Sequence, residues 1–183
     1  MSAALVVCPL SRLAETLASS RARSVVTLLA RSQRQDLPAF EGLAHLALDL
    51  SDIVGPRAGH VPPGADHVAA LLNFARRWDR RAPLLLHCYA GVSRSTAAAF
   101  AVSCALQPGR PERDIAAELR ASAPSATPNP RLVALADAAL GRRGRMVAAV
   151  SAIGRGADCF EGEVFRLAVP SAVGPGQMPA YQL

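Results

Sequence analysis

The strongest constraint on the fold is one continuous stretch, residues 84–106, which changes from strand-like to helix-like within a few residues. Residues 84–86 are three leucines that directly follow a proline, which is typical of a short buried strand. Residues 95–106 are rich in alanine and predict a helix, which a Gln-Pro-Gly sequence ends. Residues 87–93 must therefore form a tight connection. A strand, a short loop and a helix in this order predict an α/β fold.

The rest of the chain alternates in the same way between strand-like and helix-like segments. Apolar runs of strand length predict three further strands, at residues 3–7, 24–29 and 43–48. Apolar residues at helical spacing predict five further helices, near residues 10–18, 68–78, 111–119, 129–140 and 146–153. This order predicts a single α/β domain with a central, mostly parallel mixed sheet flanked by helices.

Residues 49–64 separate a predicted strand from a predicted helix and are rich in glycine and proline. This composition predicts a loop rather than a helix or strand. Loops of such length inside a compact domain are usually functional. Two carboxylates lie near the start of this loop, Asp49 and Asp52.

The composition is that of a chain that folds. Hydrophobic residues make up 51% and charged residues 19%, which excludes a disordered chain of low hydrophobicity and high charge. The formal net charge of +6 arises from 20 basic residues, all arginine, which are scattered between Arg12 and Arg166. Scattered arginine does not predict nucleic-acid binding, but it is compatible with phosphorylated partners because the guanidinium binds phosphate bidentately. The absence of lysine beside abundant alanine and arginine indicates GC-rich coding and a bacterial origin.

The cysteine pattern and the apolar segments bear on location. Cys8, Cys88, Cys104 and Cys159 include no CxxC pair, so we expect reduced thiols and a cytoplasmic protein. No stretch reaches ~18 apolar residues and the first residues do not resemble a signal peptide, so we expect no membrane contact. Because free cysteines are often buried, we expect Cys8, Cys104 and Cys159 to be buried structural residues.

The sequence HCYAGVSRST, residues 87–96, carries the clearest chemical signal of the chain. Five residues separate Cys88 from Arg94, which is enough for a loop whose backbone N–H groups converge at the N-terminus of the following helix. Gly91 permits backbone angles that other residues avoid. Such a loop predicts a cradle for a phosphate group. The predicted cradle consists of Tyr89, Ala90, Gly91, Val92, Ser93 and Arg94.

The side chains around the cradle predict covalent chemistry. The helix N-terminus, the loop amides and the Arg94 guanidinium all favour the thiolate form of Cys88, which is a nucleophile at neutral pH. Arg94 can bind two phosphoryl oxygens through its planar fork, and Ser95 can donate a hydrogen bond to the departing Cys88 sulfur. These roles predict phosphoryl transfer through a covalent intermediate.

Residues 87–95, HCYAGVSRS, match the HCxxGxxR(S/T) signature of the cysteine-based protein tyrosine phosphatases, and AGVSRS most resembles the dual-specificity branch. The resemblance covers about residues 3–141, which it identifies as a phosphatase-like core with a strand–loop–helix active site. Residues 142–173 have no counterpart in the family and are interpreted as a C-terminal extension, and the Gly- and Pro-rich residues 174–183 as a flexible tail. The whole chain, 1–183, is interpreted as a single phosphatase-like domain.

The resemblance also implies a general acid on a mobile loop before the motif, which protonates the leaving group and later activates water. Asp52 and Asp49 lie 36 and 39 residues before Cys88, and spacings in the low to middle thirties are usual in the family. Asp52 also lies deeper in the Gly- and Pro-rich loop, so we predict that Asp52 is the acid. The family's more common Trp-Pro-Asp sequence is absent here.

Two further residues are assigned supporting roles. His87 is predicted to orient the cradle by hydrogen bonding rather than to transfer protons. Asn129 precedes a proline, which makes it a good helix N-cap, and it resembles the Pro-Asn element after the third helix in this family. His45, His60 and His67 lack carboxylate or cysteine partners at ligand spacing, so no metal or other cofactor is expected.

Three functions from different classes fit this chain. The first, which we favour, is a phosphatase that hydrolyses phosphotyrosine, and also phosphoserine or phosphothreonine, in a phosphorylated protein or a small phosphomonoester. The second is a catalytically silent module that binds a phosphorylated partner through the same cradle. The third is a rhodanese-like sulfurtransferase, whose loop usually has one residue fewer. The cradle contains no lysine, which disfavours phosphoinositides with additional phosphates. The oligomeric state stays open.

Overall fold

Five strands form one central sheet in the computed structural model, which describes residues 3–35 and 37–170. They are β1 (Ala3–Pro9), β2 (Ser24–Leu28), β3 (Ala44–Leu48), β4 (Leu84–Cys88) and β5 (Phe165–Val169). Their order across the sheet is β3-β2-β4-β1-β5. The strands β1 to β4 are parallel and β5 is antiparallel to β1. The predicted mostly parallel mixed sheet is therefore confirmed.

Six α-helices of the described residues flank the sheet. They are α1 (Leu13–Ser20), α2 (Ala65–Arg77), α3 (Arg94–Leu106), α4 (Glu112–Ser122), α5 (Pro130–Ala139) and α6 (Arg145–Ile153). Alternate residues of a strand face opposite sides. Val6 and Leu85 therefore pack with Leu13 of α1 on one face of the sheet. Leu5 and Leu86 face the larger layer of α2 to α6 on the other.

The helix α3 lies at the centre of this larger layer. Twelve of its 13 residues are buried, and its alanine side chains allow close packing against β4, α2, α4 and α5. Only residues 89–93 join β4 to α3. The N-terminus of α3 consequently lies at the carboxyl edge of the parallel strands, where α/β sheets commonly bind ligands.

The predicted helices are all present, with ends that differ by a few residues. Residues 49–64, between β3 and α2, form no helix or strand, as predicted. No helix in the described part of the chain is long and apolar enough to cross a membrane.

Strand β5 is not predicted by the sequence pattern. Phe165, Leu167 and Val169 are buried, whereas Arg166 and Ala168 are exposed, so the strand alternates over only five residues. It extends the sheet on the side of β1 that does not pair with β4. The described part of the C-terminal extension thus adds a helix and a strand to the same domain. The flexible tail predicted for residues 174–183 lies outside the described residues.

Charged side chains fix the start of α6 between α4 and α5. The Glu112 carboxylate of α4 is buried and accepts hydrogen bonds from Arg142 Nη1 at 3.0 Å and from Arg145 Nε at 3.1 Å. The Asp137 carboxylate of α5 accepts a hydrogen bond from Met146 N at 2.8 Å, in the first turn of α6. The Asp137 contact satisfies a backbone amide that a helix N-terminus leaves unpaired. These contacts anchor the extension to the core.

We predict that the extension unfolds together with the core. The substitution Leu167→Ala should lower the free energy of unfolding by about 2–5 kcal/mol, because it leaves a cavity beside β1. The neighbouring Arg166→Ala, on the exposed face of the same strand, should change it by less than about 0.5 kcal/mol. Urea unfolding followed by circular dichroism measures both. Equally small effects would show that β5 is not part of the cooperative unit.

Candidate active site

Hydrogen bonds from other segments to its carbonyl oxygens hold the loop between β4 and α3 in place. Four of these oxygens accept hydrogen bonds from backbone amides of other segments: Leu10 N to Tyr89 O at 2.9 Å, Gly162 N to Ala90 O at 2.8 Å, Thr127 N to Val92 O at 2.9 Å and Asn129 N to Ser93 O at 3.2 Å. In a planar trans peptide the N–H points away from the C=O. The amides that follow these carbonyls therefore point to the inner side of the loop. This gives the loop the form of an anion cradle.

Gly91 is required at its position by both conformation and space. Its φ is +71°, in the left-handed region that favours glycine. A Cβ atom at this residue would lie 2.8 Å from Pro9 N and 3.1 Å from the Cys8 carbonyl carbon. The cradle can therefore lie this close to the end of β1 only with glycine here.

The cradle lines a cavity of about 300 Å³. The lining residues are Gln33, Asp52, Cys88, Tyr89, Ala90, Val92, Ser93, Arg94, Cys159 and Phe160. Cys88 is buried, and its Sγ lies 3.1 Å from Ser95 Oγ, so these two groups share a hydrogen bond. The Ser93 side chain does not cap α3. The first amides of α3 thus stay available to an anion in the cavity.

Arg94 is buried but only partly satisfied. Its Nη1 donates to Leu50 O and to Gln33 Oε1, both at 3.1 Å. Its Nε has no hydrogen-bond partner among the described residues and lies 3.9 Å from Asp52 Oδ2. Leaving a buried donor unpaired costs about 1–3 kcal/mol, more for a charged group. An anion in the cradle would satisfy it.

Asp52 faces the cavity, as its predicted role requires. Its Oδ1 accepts hydrogen bonds from Ser93 Oγ at 2.7 Å and from Asn129 Nδ2 at 2.8 Å. Asp49, by contrast, is paired with Arg31, whose Nε lies 2.9 Å from Asp49 Oδ2, and it does not line the cavity. The structure therefore brings Asp52, rather than Asp49, together with Cys88.

Asn129 joins the Asp52 loop to α5. Its Oδ1 accepts hydrogen bonds from Arg131 N and Leu132 N, both at 3.1 Å, which confirms the predicted N-cap. The Arg131 side chain donates to Pro63 O at 2.6 Å and to Val54 O at 3.2 Å. Residues 49–64 are thus held by the N-terminus of α5, which sets the position of their carboxylate.

The groups around the base of the cradle are neutral. Burial lowers the pKa of His87 to about 3, so the imidazole is uncharged at physiological pH. Its Nε2 lies 2.7 Å from Thr27 Oγ1, which in turn lies 2.9 Å from His45 Nε2. Burial raises the pKa of the Cys8 thiol to about 12, so this neighbour stays protonated. No group of three or more His, Cys, Asp or Glu side chains within residues 3–35 and 37–170 is arranged to hold a metal ion.

Three lining residues are missed by the sequence analysis: Gln33, Cys159 and Phe160. Cys8 and Cys104 are buried as expected, but the expectation that Cys159 is buried is wrong. The reason is that residues 154–164 run beside the cradle instead of entering the core. One sequence feature of this segment fits its path beside the cradle: Gly162, where a Cβ would lie 3.1 Å from Gly91 O.

Comparison with known proteins shows a shared fold. No family model matches the sequence, and no curated protein matches it. The structure of DUSP15 is 18% identical and covers 80% of this chain and 88% of its own, with a TM-score of 0.56. The structure of the human tyrosine phosphatase-like serine/threonine/tyrosine-interacting protein is 18% identical and covers 75% of this chain and 91% of its own, with a TM-score of 0.57. The structure of PTPMT1 in complex with PI(5)P is 16% identical and covers 75% of this chain and 91% of its own, with a TM-score of 0.54. The chain has the fold of the dual-specificity and tyrosine phosphatases.

Gly91→Ala should weaken the binding of inorganic phosphate at least about tenfold, because the added Cβ forces the cradle away from β1 and moves its amides. Gly42→Ala is the matched control, since Gly42 has a φ of +72° with no atom within 4 Å of its Cβ position. Left-handed strain should cost each variant about 1–2 kcal/mol of stability, and Gly91→Ala should lose more because its Cβ also meets the backbone of β1. Isothermal titration with phosphate measures the loss of affinity separately from the loss of stability. Equal phosphate affinity in both variants would contradict the assigned cradle.

Proposed function

We propose that the protein is a cysteine-dependent phosphatase that hydrolyses phosphate monoesters through a phosphocysteine intermediate. Its substrates are phosphotyrosine and also phosphoserine or phosphothreonine. One observation carries this proposal: Cys88 Sγ, the unpaired Nε of buried Arg94 and the Asp52 carboxylate belong to one small cavity at the N-terminus of α3. The resemblance of residues 87–95 to the phosphatase signature and the shared fold support it.

The cradle suits the phosphoryl group of a monoester. The loop amides, the first turn of α3 and Arg94 Nε together supply donors for three phosphoryl oxygens. A larger groove of about 820 Å³ adjoins the cavity and shares Asp52, Val92, Ser93 and Cys159 with it. This groove leaves room for the rest of a phosphorylated protein segment.

In the first step the Cys88 thiolate attacks phosphorus in line with the leaving oxygen. A bond between sulfur and phosphorus forms while the bond between phosphorus and the ester oxygen breaks. Asp52, protonated at the start of the step, gives its proton to that oxygen. The products are phosphocysteine and an alcohol or phenol. Arg94 holds two phosphoryl oxygens as their charge redistributes.

In the second step water attacks the phosphocysteine. The Asp52 carboxylate accepts a proton from the water, so the acid is regenerated. A new bond between phosphorus and oxygen forms and the bond between sulfur and phosphorus breaks, which releases inorganic phosphate. The Ser95 hydroxyl, 3.1 Å from the sulfur, donates to the thiolate as it departs. These two steps require no oxidant, reductant or metal.

Cys88→Ser should abolish turnover of p-nitrophenyl phosphate, by about 10³-fold or more, because the hydroxyl is a far weaker nucleophile at neutral pH. Inorganic phosphate should still bind within a few-fold of wild type, since the donors of the cradle remain. Steady-state kinetics and isothermal titration measure the two quantities. Residual activity within about tenfold of wild type would refute the assignment. A wild-type protein that binds phosphate but hydrolyses no ester would indicate the silent binding module instead.

Asp52→Asn should slow hydrolysis of phosphotyrosine by ~10²- to 10⁴-fold, because its phenolate leaving group needs a proton. An activated aryl phosphate, whose leaving group needs none, should be affected much less. The amide keeps an oxygen that can accept from Ser93 and Asn129, so the fold is preserved. Asp49→Asn removes the same charge from the same loop and should behave like wild type in a comparison of kcat on both substrates. If Asp49→Asn instead slowed phosphotyrosine hydrolysis and Asp52→Asn behaved like wild type, the general acid would be Asp49.

A further inference from the structure

Two exposed aromatic side chains lie at the candidate active site. The exposed aromatic residues of the described part of the chain are Tyr89, 50% exposed, and Phe160, 90% exposed. Both line the cavity that contains Cys88 and Arg94. The remaining described aromatic residues are buried or half-buried: Phe40, Phe74, Trp78, Phe100 and Phe165. Exposed rings are thus concentrated beside one cavity, and adjoining exposed apolar surface indicates a binding surface.

Phe160 is exposed although the chain on both sides of it is held in place. Before it, Ala157 N donates to Pro124 O at 2.9 Å. After it, Gly162 N donates to Ala90 O, within the cradle itself, at 2.8 Å. The backbone therefore holds the ring at the cavity without burying it. A ligand that covers this exposed apolar ring removes it from water, which lowers the free energy of the complex.

The direction of the proposed reaction connects this surface to the substrate. Cys88 is 2% exposed, so its sulfur lies in the depth of the cavity. In-line attack places the leaving group on the opposite side of phosphorus from the sulfur, toward the opening. The organic part of the ester then passes Tyr89 and Phe160 as it leaves the cavity.

We infer that Tyr89 and Phe160 form an aromatic rim that binds the aryl group of the substrate ester, so that the protein prefers aryl phosphates, phosphotyrosine among them, to alkyl phosphates. This inference rests on the proposed function and narrows its substrate class. Rings attract one another in offset or edge-to-face arrangements, which an alkyl ester cannot make, and the expected gain in affinity is about 3- to 10-fold. Phe160 belongs to residues 142–173, the extension for which the sequence analysis identifies no counterpart in the family.

The binding of non-hydrolysable ligands tests the rim without requiring turnover. Isothermal titration of the full chain compares inorganic phosphate, methylphosphonate and phenylphosphonate. Phe160→Ala should weaken phenylphosphonate about 3- to 10-fold and leave the other two unchanged, whereas Phe160→Trp should retain the wild-type preference. Adding Tyr89→Ala to Phe160→Ala should remove the remaining preference. Val147→Ala, which truncates an exposed apolar side chain of α6, is the control and should change nothing.

Kinetics give a second readout on the same variant. With phenyl phosphate, Phe160→Ala should raise KM by the same factor and leave kcat unchanged, because the rim contacts the ground state and the transition state alike. An unchanged affinity for phenylphosphonate, or an equal loss for all three ligands, would overturn the rim but leave the proposed function intact. A wild-type protein that binds none of the three would overturn the cradle and the proposed function with it.

Discussion

The amides of residues 90, 91, 93 and 94 can face a ligand only while the carbonyl oxygen of the preceding residue is bound from outside. Each peptide group is rigid, so the direction of the carbonyl sets the direction of the amide. The outer partners come from the turn after β1, the connector between α4 and α5, and the segment after α6. An unpaired buried carbonyl would cost about 1–3 kcal/mol. The cradle is therefore a property of the whole domain, although its residues are continuous in the chain.

The charges around Arg94 favour the binding of an anion in the cradle. Arg94 is buried, and its two hydrogen-bond acceptors, Leu50 O and Gln33 Oε1, are neutral. His87 and Cys8 are neutral as well. The nearest opposite charge is Asp52 Oδ2, at 3.9 Å. Because a buried charge is stabilised by a close partner that also accepts its hydrogen bonds, a phosphate group would supply a nearer opposite charge and the acceptor that Arg94 Nε lacks.

The fold alone does not distinguish catalysis from binding, because this chain shares it with phosphatases and with a protein described as phosphatase-like and interacting. The side chains favour catalysis. A module that only captures phosphate needs the amides and Arg94. It needs neither the hydroxyl of Ser95 at 3.1 Å from Cys88 Sγ nor a carboxylate held at the cavity by Asn129. In the proposed reaction both groups act on bonds that form or break, so that reaction would account for their presence.

The sequence by itself determined the features that depend on neighbouring residues: the helices, four of the five strands, the loop at 49–64, and the cradle, whose Cys88 and Arg94 lie within one short connection. It also predicted Asp52 through its spacing from Cys88. Only the tertiary structure decided that Asp52 faces the cavity while Asp49 pairs with Arg31. It also decided that the C-terminal extension supplies β5 to the sheet and Phe160 to the lining of the cavity. Periodicity records which face of an element is buried, whereas contacts between distant segments depend on how whole elements pack.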